Sequence, residues 1–292
     1  KSGKKEITIS AVRLYYFLQL NGFRTLRDIN AANTRYIQVT NNVVKQIKAK
    51  DVRRFVREWS EERCLNENVR NLIVNSMKFS ETSLENLKEV ELDFSNFTHN
   101  TQLFFFPNNN VEVTPKEIIV HQRGDTAFNH YVWEENVLKH NFKPLPDMFK
   151  LTCLDKENNL YDIDVLDCKS SPIFGYVINT SRLHWRKEME ERFEDNPEEA
   201  KAYAEKHRFC INGEGLTEDE IREQKQNLAN KIFAIGYMLH RFKSPSRAWA
   251  PQAMDNKIGE NGECNGRSGK SFLFKTLSLF MKSVKLSGRN PK

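Results

Sequence analysis

The spacing of apolar side chains changes twice along this chain, and the change restricts it to folds that mix helices with hairpins. Residues 8–20 and 50–63 carry apolar side chains at the three- and four-residue spacing of a helix. From about 79 to 168 the pattern shortens into strand-like runs between turn residues, and from 170 to 242 helical spacing returns. The sequence therefore predicts an α+β protein.

Turn residues place three hairpins in this pattern. The clearest has Asn41-Asn42 between two β-prone runs, Arg35–Thr40 and Val43–Lys48. The other two pair 102–106 with 111–113, and 149–154 with 160–165. Thr217, followed by three acidic residues, predicts the capped start of a long helix that runs to about Lys243.

Four segments follow from these elements. Residues 1–78 are predicted to form a helix–hairpin–helix module that is winged-helix-like, and 79–168 a β-rich middle. Residues 169–245 are predicted to form a helical bundle. In 246–292 we expect a strand over Ala248–Met254, a glycine-rich loop, and a helix over 270–285. The apolar side of that helix carries Leu273, Leu277, Phe280, Met281 and Val284.

Composition limits the classes of protein that fit. No apolar run approaches the roughly 18–20 residues that a membrane-spanning helix needs. The five cysteines are odd in number and contain no Cys-x-x-Cys pair, which favours a reducing cytoplasm over a disulfide framework or a zinc site. The net charge of +6 permits a nucleic-acid partner without requiring one.

The glycine-rich segment 262–269 runs directly into Lys270 and Ser271, at the start of the last predicted helix. The first N–H groups of a helix lack partners within the helix and lie at the positive end of its dipole, so phosphate groups bind there. A lysine at this place reaches the β- and γ-phosphates of a nucleotide, and the serine hydroxyl after it ligates Mg²⁺. The segment therefore predicts a phosphate-binding loop.

This loop departs in one respect from the common pattern, which has a glycine five residues before the glycine of Gly-Lys-Ser. Cys264 occupies that place, with Gly262 and Gly266 two residues to either side. We interpret Cys264 as a tolerated replacement and not as a nucleophile, because no histidine lies near it in the sequence. An ordinary glycine-rich turn before an amphipathic helix is the alternative.

Three neighbouring stretches resemble the superfamily-3 helicase region of phage and plasmid primase-helicases. They are Ile235-Gly-Tyr-Met-Leu-His-Arg-Phe-Lys243, Ala253-Met-Asp-Asn-Lys-Ile258 and Glu263-Cys-Asn-Gly-Arg-Ser-Gly-Lys-Ser-Phe-Leu-Phe274. The stretch Phe105-Phe106-Pro-Asn-Asn-Asn-Val-Glu-Val-Thr114 is similar, more weakly, to an upstream segment of the same group.

The resemblance implies an ATP-hydrolysing DNA helicase of replication with an AAA+-like P-loop domain. It implies ATP and Mg²⁺ as cofactors, single-stranded or forked DNA as partner, a homo-oligomeric ring (usually a hexamer), and the cytoplasm of a bacterial host without membrane attachment. Lys270 is then the catalytic cation and Ser271 the Mg²⁺ ligand. The residues implied to bind the nucleotide are Asn265, Gly266, Arg267, Ser268, Gly269, Lys270, Ser271 and Phe272.

In helicases of this group an acidic strand end, a sensor residue and an arginine finger follow the loop. Few residues follow Ser271, so we expect these groups to lie beyond Lys292. The chain is then a truncated piece of the helicase, inactive in hydrolysis by itself.

Basic residues are concentrated on the first hairpin and the helix after it, with Asp51 as the only acid between them. This pattern predicts contact with the phosphate backbone of DNA, and a basic face that meets only solvent is the alternative. The residues concerned are Lys45, Lys48, Lys50, Arg53, Arg54 and Arg57.

Two further possibilities stay open at this point. One is another P-loop NTPase or kinase that does not act on DNA. The other is a non-enzymatic DNA-binding replication initiator, in which the loop is incidental.

Asp162 and Asp164 imitate the Asp-x-Asp metal pair of primase active sites. We favour a polar strand face instead, because a lone Asp-x-Asp pair is a weak signal.

Overall fold

The structure, a computed structural model, describes residues 7–27, 35–253 and 270–284. The chain divides into two compact units, 1–142 and 143–292. Helix accounts for 38% of the structure and strand for 19%. Both classes occur in each unit, so the predicted α+β class is confirmed.

Helices on one side of the N-terminal unit share a single apolar core. They are α1 (Ala11–Leu20), α2 (Ala49–Glu62), α3 (Glu67–Val74) and α4 (Glu81–Leu84), with a 3₁₀ turn at Met77–Phe79. Leu14 and Leu18 of α1 meet Val52 and Val56 of α2 in this core. The spacing of each pair puts both side chains on one helical face, which is why the apolar pattern predicted these two helices correctly.

The predicted Asn41-Asn42 hairpin forms the middle of a five-stranded sheet. Its strands are β1 (Phe23–Leu26), β2 (Arg35–Thr40), β3 (Val43–Gln46), β4 (Glu89–Val90) and β8 (Val132–Trp133), in the order β4-β1-β2-β3-β8. Asn41 and Asn42 have φ of 48° and 69°, the left-handed pair that a two-residue hairpin turn needs. The buried Asn42 amide also donates to the Phe128 carbonyl at 2.8 Å. Strand β8, from the middle segment of the sequence, therefore joins the first hairpin in one sheet.

The second predicted hairpin is extended by a third strand. Strands β5 (Gln102–Phe105), β6 (Asn109–Val113) and β7 (Ile118–Gln122) form an antiparallel sheet in that order. Arg123, just after β7, donates from Nε to the Phe106 carbonyl at 2.8 Å and so ties the sheet to its first turn.

In the C-terminal unit one hairpin packs on several helices. The hairpin is β9 (Phe149–Asp155) and β10 (Leu160–Val165), and the helices are α5 (Pro172–Ser181), α6 (Pro197–Lys206), α7 (Glu218–Leu239) and α8 (Lys270–Leu277), with a π-helical segment at Arg186–Glu191. The core here comprises Ile163, Phe174, Val177, Ile178, Ile211 and Leu228. Helix α7 begins with the predicted capping box, because Thr217 and Glu220 each bond to the other's backbone N–H.

Helix α7 ends at Leu239, four residues before the predicted end. His240 is already extended, with φ −79° and ψ 121°. Lys243 turns back and donates from Nζ to the Tyr237 carbonyl at 2.8 Å and also to the His240 carbonyl. A lysine that satisfies the last carbonyls in this way ends the helix instead of extending it.

The strand predicted over Ala248–Met254 is wrong for its described part, 248–253, which is irregular. The Trp249 N–H donates to the Tyr237 hydroxyl at 2.8 Å instead of to a strand. Pro251 has no N–H to donate, so the segment offers little to a sheet ladder. Met254 lies outside the described residues.

The last helix is shorter than predicted, because α8 ends at Leu277. The hydroxyls of Thr276 and Ser278 bond to the carbonyls of Leu273 and Lys275 at 2.7 and 2.6 Å, which competes with continued helix. Leu277 is buried, whereas Val284 is 74% exposed and does not belong to a buried apolar side.

A buried ion pair holds the helical part of the C-terminal unit. The Arg182 guanidinium donates to the Glu188 carboxylate, and both side chains are almost fully buried. The Tyr203 hydroxyl donates to the same carboxylate at 2.8 Å. A Cβ at Gly213 would lie 2.6 Å from this carboxyl group, so any larger residue there would displace the buried carboxylate.

We predict that Glu188→Gln lowers the free energy of unfolding by about 3–5 kcal/mol, because it leaves the buried Arg182 without a counter-charge. Glu191→Gln, in the exposed pair with Arg186, makes the same chemical change and should cost less than about 1 kcal/mol. Urea unfolding of both variants measures the difference. Equal costs would contradict a special role of the buried pair.

Candidate nucleotide and DNA sites

The end of the predicted phosphate loop is the first turn of α8. Lys270, Ser271 and Phe272 begin this helix, and Ser271 is exposed. The Phe272 ring lies against Tyr176 of α5, with centroids 5.0 Å apart. Leu273 packs on the core of the C-terminal unit. The helix that carries the candidate site is thus fixed by its own apolar residues. Asn265, Gly266, Arg267, Ser268 and Gly269 lie outside the described residues, as does Cys264.

The charge of this first turn suits an anion. It contains no acidic side chain, and Lys275 is the basic residue of the last turn. A helix start without carboxylates keeps the positive end of the dipole uncompensated, which favours bound phosphate. The Ser271 hydroxyl is a suitable Mg²⁺ ligand because this ion keeps several waters and takes its other oxygens from the nucleotide phosphates.

The second candidate site is the basic face of α2, defined here as Lys50, Arg53, Arg54 and Arg57. These four residues recur at three- and four-residue intervals, so they lie on one side of the helix, and all four are exposed. The opposite side of α2 carries Val52 and Val56 into the core. Burial of that side therefore forces the basic face outward.

Existing ion pairs use only part of this charge. Arg57 lies 3.7 Å from Glu61, and both side chains are half exposed, so the pair is weak. Lys45 on β3 lies 3.3 Å from Glu134. Lys48 precedes α2, and its backbone N–H bonds to Asp51 at 2.9 Å. The structure therefore brings four of the six predicted residues onto one helical face. Lys45 lies on β3 and Lys48 directly precedes α2, so neither is part of that face.

Asp162 and Asp164 lie on β10 next to Lys225 of α7. The Lys225 ammonium lies 2.8 Å from Asp162 Oδ1 and 3.7 Å from Asp164 Oδ1. The hydrogen bond from Lys225 keeps the pKa of Asp162 below its usual value, against the opposing effect of burial. An ammonium group already pairs with both carboxylates, as on the polar strand face that we favoured over a metal pair. Across the described ranges, no three His, Cys, Asp or Glu side chains are grouped to hold a metal.

We predict that Lys225→Met raises the pKa of Asp162 towards that of an unperturbed aspartate, because it removes the hydrogen bond that lowers this pKa most. Arg222→Met should produce a smaller rise, since Arg222 acts on Asp162 only through weak Coulombic attraction. Carboxyl chemical shifts followed against pH give both values. A depressed pKa stabilises the fold at pH above the unfolded value, so the stability lost in Lys225→Met should shrink as pH falls below that value. An unchanged pKa would contradict this assignment.

An aromatic cluster at the end of α7 was not among the sites predicted from the sequence. Phe233 and Tyr237 are one helical turn apart, and Trp249 returns to lie on both, with centroids 5.4 and 5.9 Å away. Phe233 is 55% and Trp249 59% exposed. The i, i+4 spacing of Phe233 and Tyr237 is evident in the sequence. The approach of Trp249 is not evident there, because it depends on the turn at Lys243.

Comparison with models of known protein families and with curated proteins finds no match. No helix in the described ranges is both long and apolar enough to cross a membrane.

Proposed function

We propose that the chain binds ATP with Mg²⁺ at the first turn of α8, as part of a DNA helicase of replication. The observation that carries this proposal is that Lys270 and Ser271, which follow Gly269 in the sequence, form the first turn of a helix with Leu273 packed on the core and Leu277 buried. The resemblance of 235–274 to superfamily-3 helicases supplies the helicase assignment and the homo-oligomeric ring. An NTPase or kinase without a DNA substrate is the alternative.

Each residue has a defined role in this proposal. Lys270 neutralises charge on the β- and γ-phosphates, and Ser271 ligates the Mg²⁺ ion. Backbone N–H groups from Gly266 to Lys270 bind phosphate oxygens. Phosphoryl transfer depends mainly on positioning and on electrostatic stabilisation of the transferring group. We assign nucleotide binding, and not the activation of water, to the residues named here.

We predict that Lys270→Ala weakens ATP binding by about 10–100-fold, the effect of removing hydrogen bonds to a charged group. Ser271→Ala should remove most of the gain in affinity that Mg²⁺ provides. Lys275→Ala is the matched control, since it removes the same charge from the last turn of the same helix. Calorimetric titration with ATP, with and without Mg²⁺, measures all three variants. Equal affinities for the Lys270 and Lys275 variants would refute the site.

A non-enzymatic DNA-binding initiator is the second candidate function, and the basic face of α2 favours it. Three of its four residues have no carboxylate within ion-pairing distance among the described residues: Lys50, Arg53 and Arg54. Uncompensated charge on one exposed helical face attracts the DNA backbone without regard to sequence. This function requires no nucleotide, so salt-dependent DNA binding by a chain that does not bind ATP would favour the initiator over the helicase.

We predict that replacing Arg53, Arg54 and Arg57 with Glu weakens binding to duplexes of different sequence alike. The slope of log affinity against log salt is negative, and it should become less steep by about 0.9 for each phosphate that the variant no longer neutralises. Replacing the exposed residues Arg13, Lys88 and Lys116 with Glu changes the net charge equally without touching α2. Fluorescence anisotropy over a salt series measures both triple variants. If their affinities fall equally, only the net charge matters.

A further inference from the structure

Helix α7 has two apolar sides, and only one of them is in the core. Leu228, Ile232 and Ile235 face the core of the C-terminal unit. Phe233 and Tyr237 lie roughly a third to half a turn away from these residues around the helix. Trp249 completes an aromatic platform, which we define as Phe233, Tyr237 and Trp249. Large rings that are grouped and exposed at one place indicate a binding surface.

The platform is held in place by polar contacts and not only by ring packing. The Trp249 N–H donates to the Tyr237 hydroxyl, which fixes the segment after α7 against the helix. The Lys243 ammonium lies 4.4 Å from the centroid of the Tyr237 ring, a cation–π distance. The planes of the Phe233 and Tyr237 rings are nearly parallel, with an interplanar angle of 23°. The three rings are therefore held in a fixed arrangement before any ligand binds, and Lys243 occupies one face of Tyr237.

The charged side chains of the segment that carries the platform have one sign. Residues 224–253 contain no aspartate or glutamate, and their charged residues are Lys225, Lys231, Arg241, Lys243 and Arg247. Arg241 and Arg247 are exposed on the loop that connects α7 with Trp249. Aromatic rings on a segment whose charged residues are all basic suit a ligand that has flat rings and a negative backbone. Unpaired nucleotides have both, and they stack on such rings with little regard to sequence.

We infer that the aromatic platform binds unpaired bases of single-stranded DNA, with Arg241 and Arg247 contacting the phosphates next to the stacked bases. The inference deepens the proposed function by giving the DNA a binding surface in the C-terminal unit. It rests on that function only for the choice of DNA as the nucleic acid. The basic face of α2 contacts phosphates alone, whereas the platform requires bases.

The test uses the full chain and a thymidine oligonucleotide of about 16 nucleotides, the upper length that one single-strand binding module covers. Replacing both Phe233 and Trp249 with Ala should lower affinity about tenfold or more. Tyr16 and Phe97 are exposed aromatic residues of the N-terminal unit, and their double replacement with Ala should have no effect. An abasic oligonucleotide of equal length should bind both double variants and the parent chain equally.

Two further measurements keep the inference testable if the double variant folds poorly. Trp249→Tyr keeps a stacking ring, so affinity should persist while the quenching of tryptophan emission by the oligonucleotide disappears. Lys270→Ala should weaken ATP binding and leave oligonucleotide affinity unchanged, so failure of the nucleotide site is seen separately. Either of two results overturns the inference. One is quenching that persists in Trp249→Tyr, and the other is a fall in the affinity of the double variant for the abasic oligonucleotide that equals its fall for the thymidine oligonucleotide. A platform that binds a protein instead of DNA would give the same results.

Discussion

The side chain of Gln224 is fully buried in α7 and bonds to two segments that are distant in sequence. Its Nε2 donates to the Ile211 carbonyl at 2.9 Å, and its Oε1 accepts from the His184 N–H at 3.0 Å. A buried amide without partners costs about 1–3 kcal/mol, so both segments have to dock correctly before α7 can be buried. The C-terminal unit depends on this constraint, because α7 also carries Lys225 to the hairpin and the aromatic platform to the surface.

Local signals were sufficient where a few neighbouring residues determine the geometry. Asn41-Asn42 specified its hairpin because asparagine tolerates positive φ, and Thr217 with Glu220 specified a helix start because both partners lie within four residues. Helix α2 was also predicted correctly, because the apolar residues that bury one of its sides follow the helical period; its basic residues lie on the other side.

Contacts between residues that are distant in sequence could not be predicted from such local signals. Strands β1 and β8 are short, and they are strands because β2 and β3 offer them open edges. The early end of α7 depends on Lys243 folding back, and the irregular path of 248–253 depends on the Tyr237 hydroxyl. For the candidate nucleotide site, the residue types and their order could be read from the sequence. The anchoring of α8 by Leu273 could not, because it needs the core of the whole unit.

The two surfaces proposed for ligands in the C-terminal unit are on helices that pack against each other, α7 and α8. Leu273 of α8 meets a core to which Ile232 and Ile235 of α7 also contribute, whereas Phe233 and Tyr237 lie on the far side of α7. A shift of α8 on binding phosphate would therefore be transmitted through the apolar side of α7 to its aromatic side. Thermodynamic linkage makes any such effect reciprocal: the factor by which nucleotide changes DNA affinity equals the factor by which DNA changes nucleotide affinity. Close packing in the core is what allows a small movement at one site to reach the other, because a well-packed interior transmits strain instead of absorbing it.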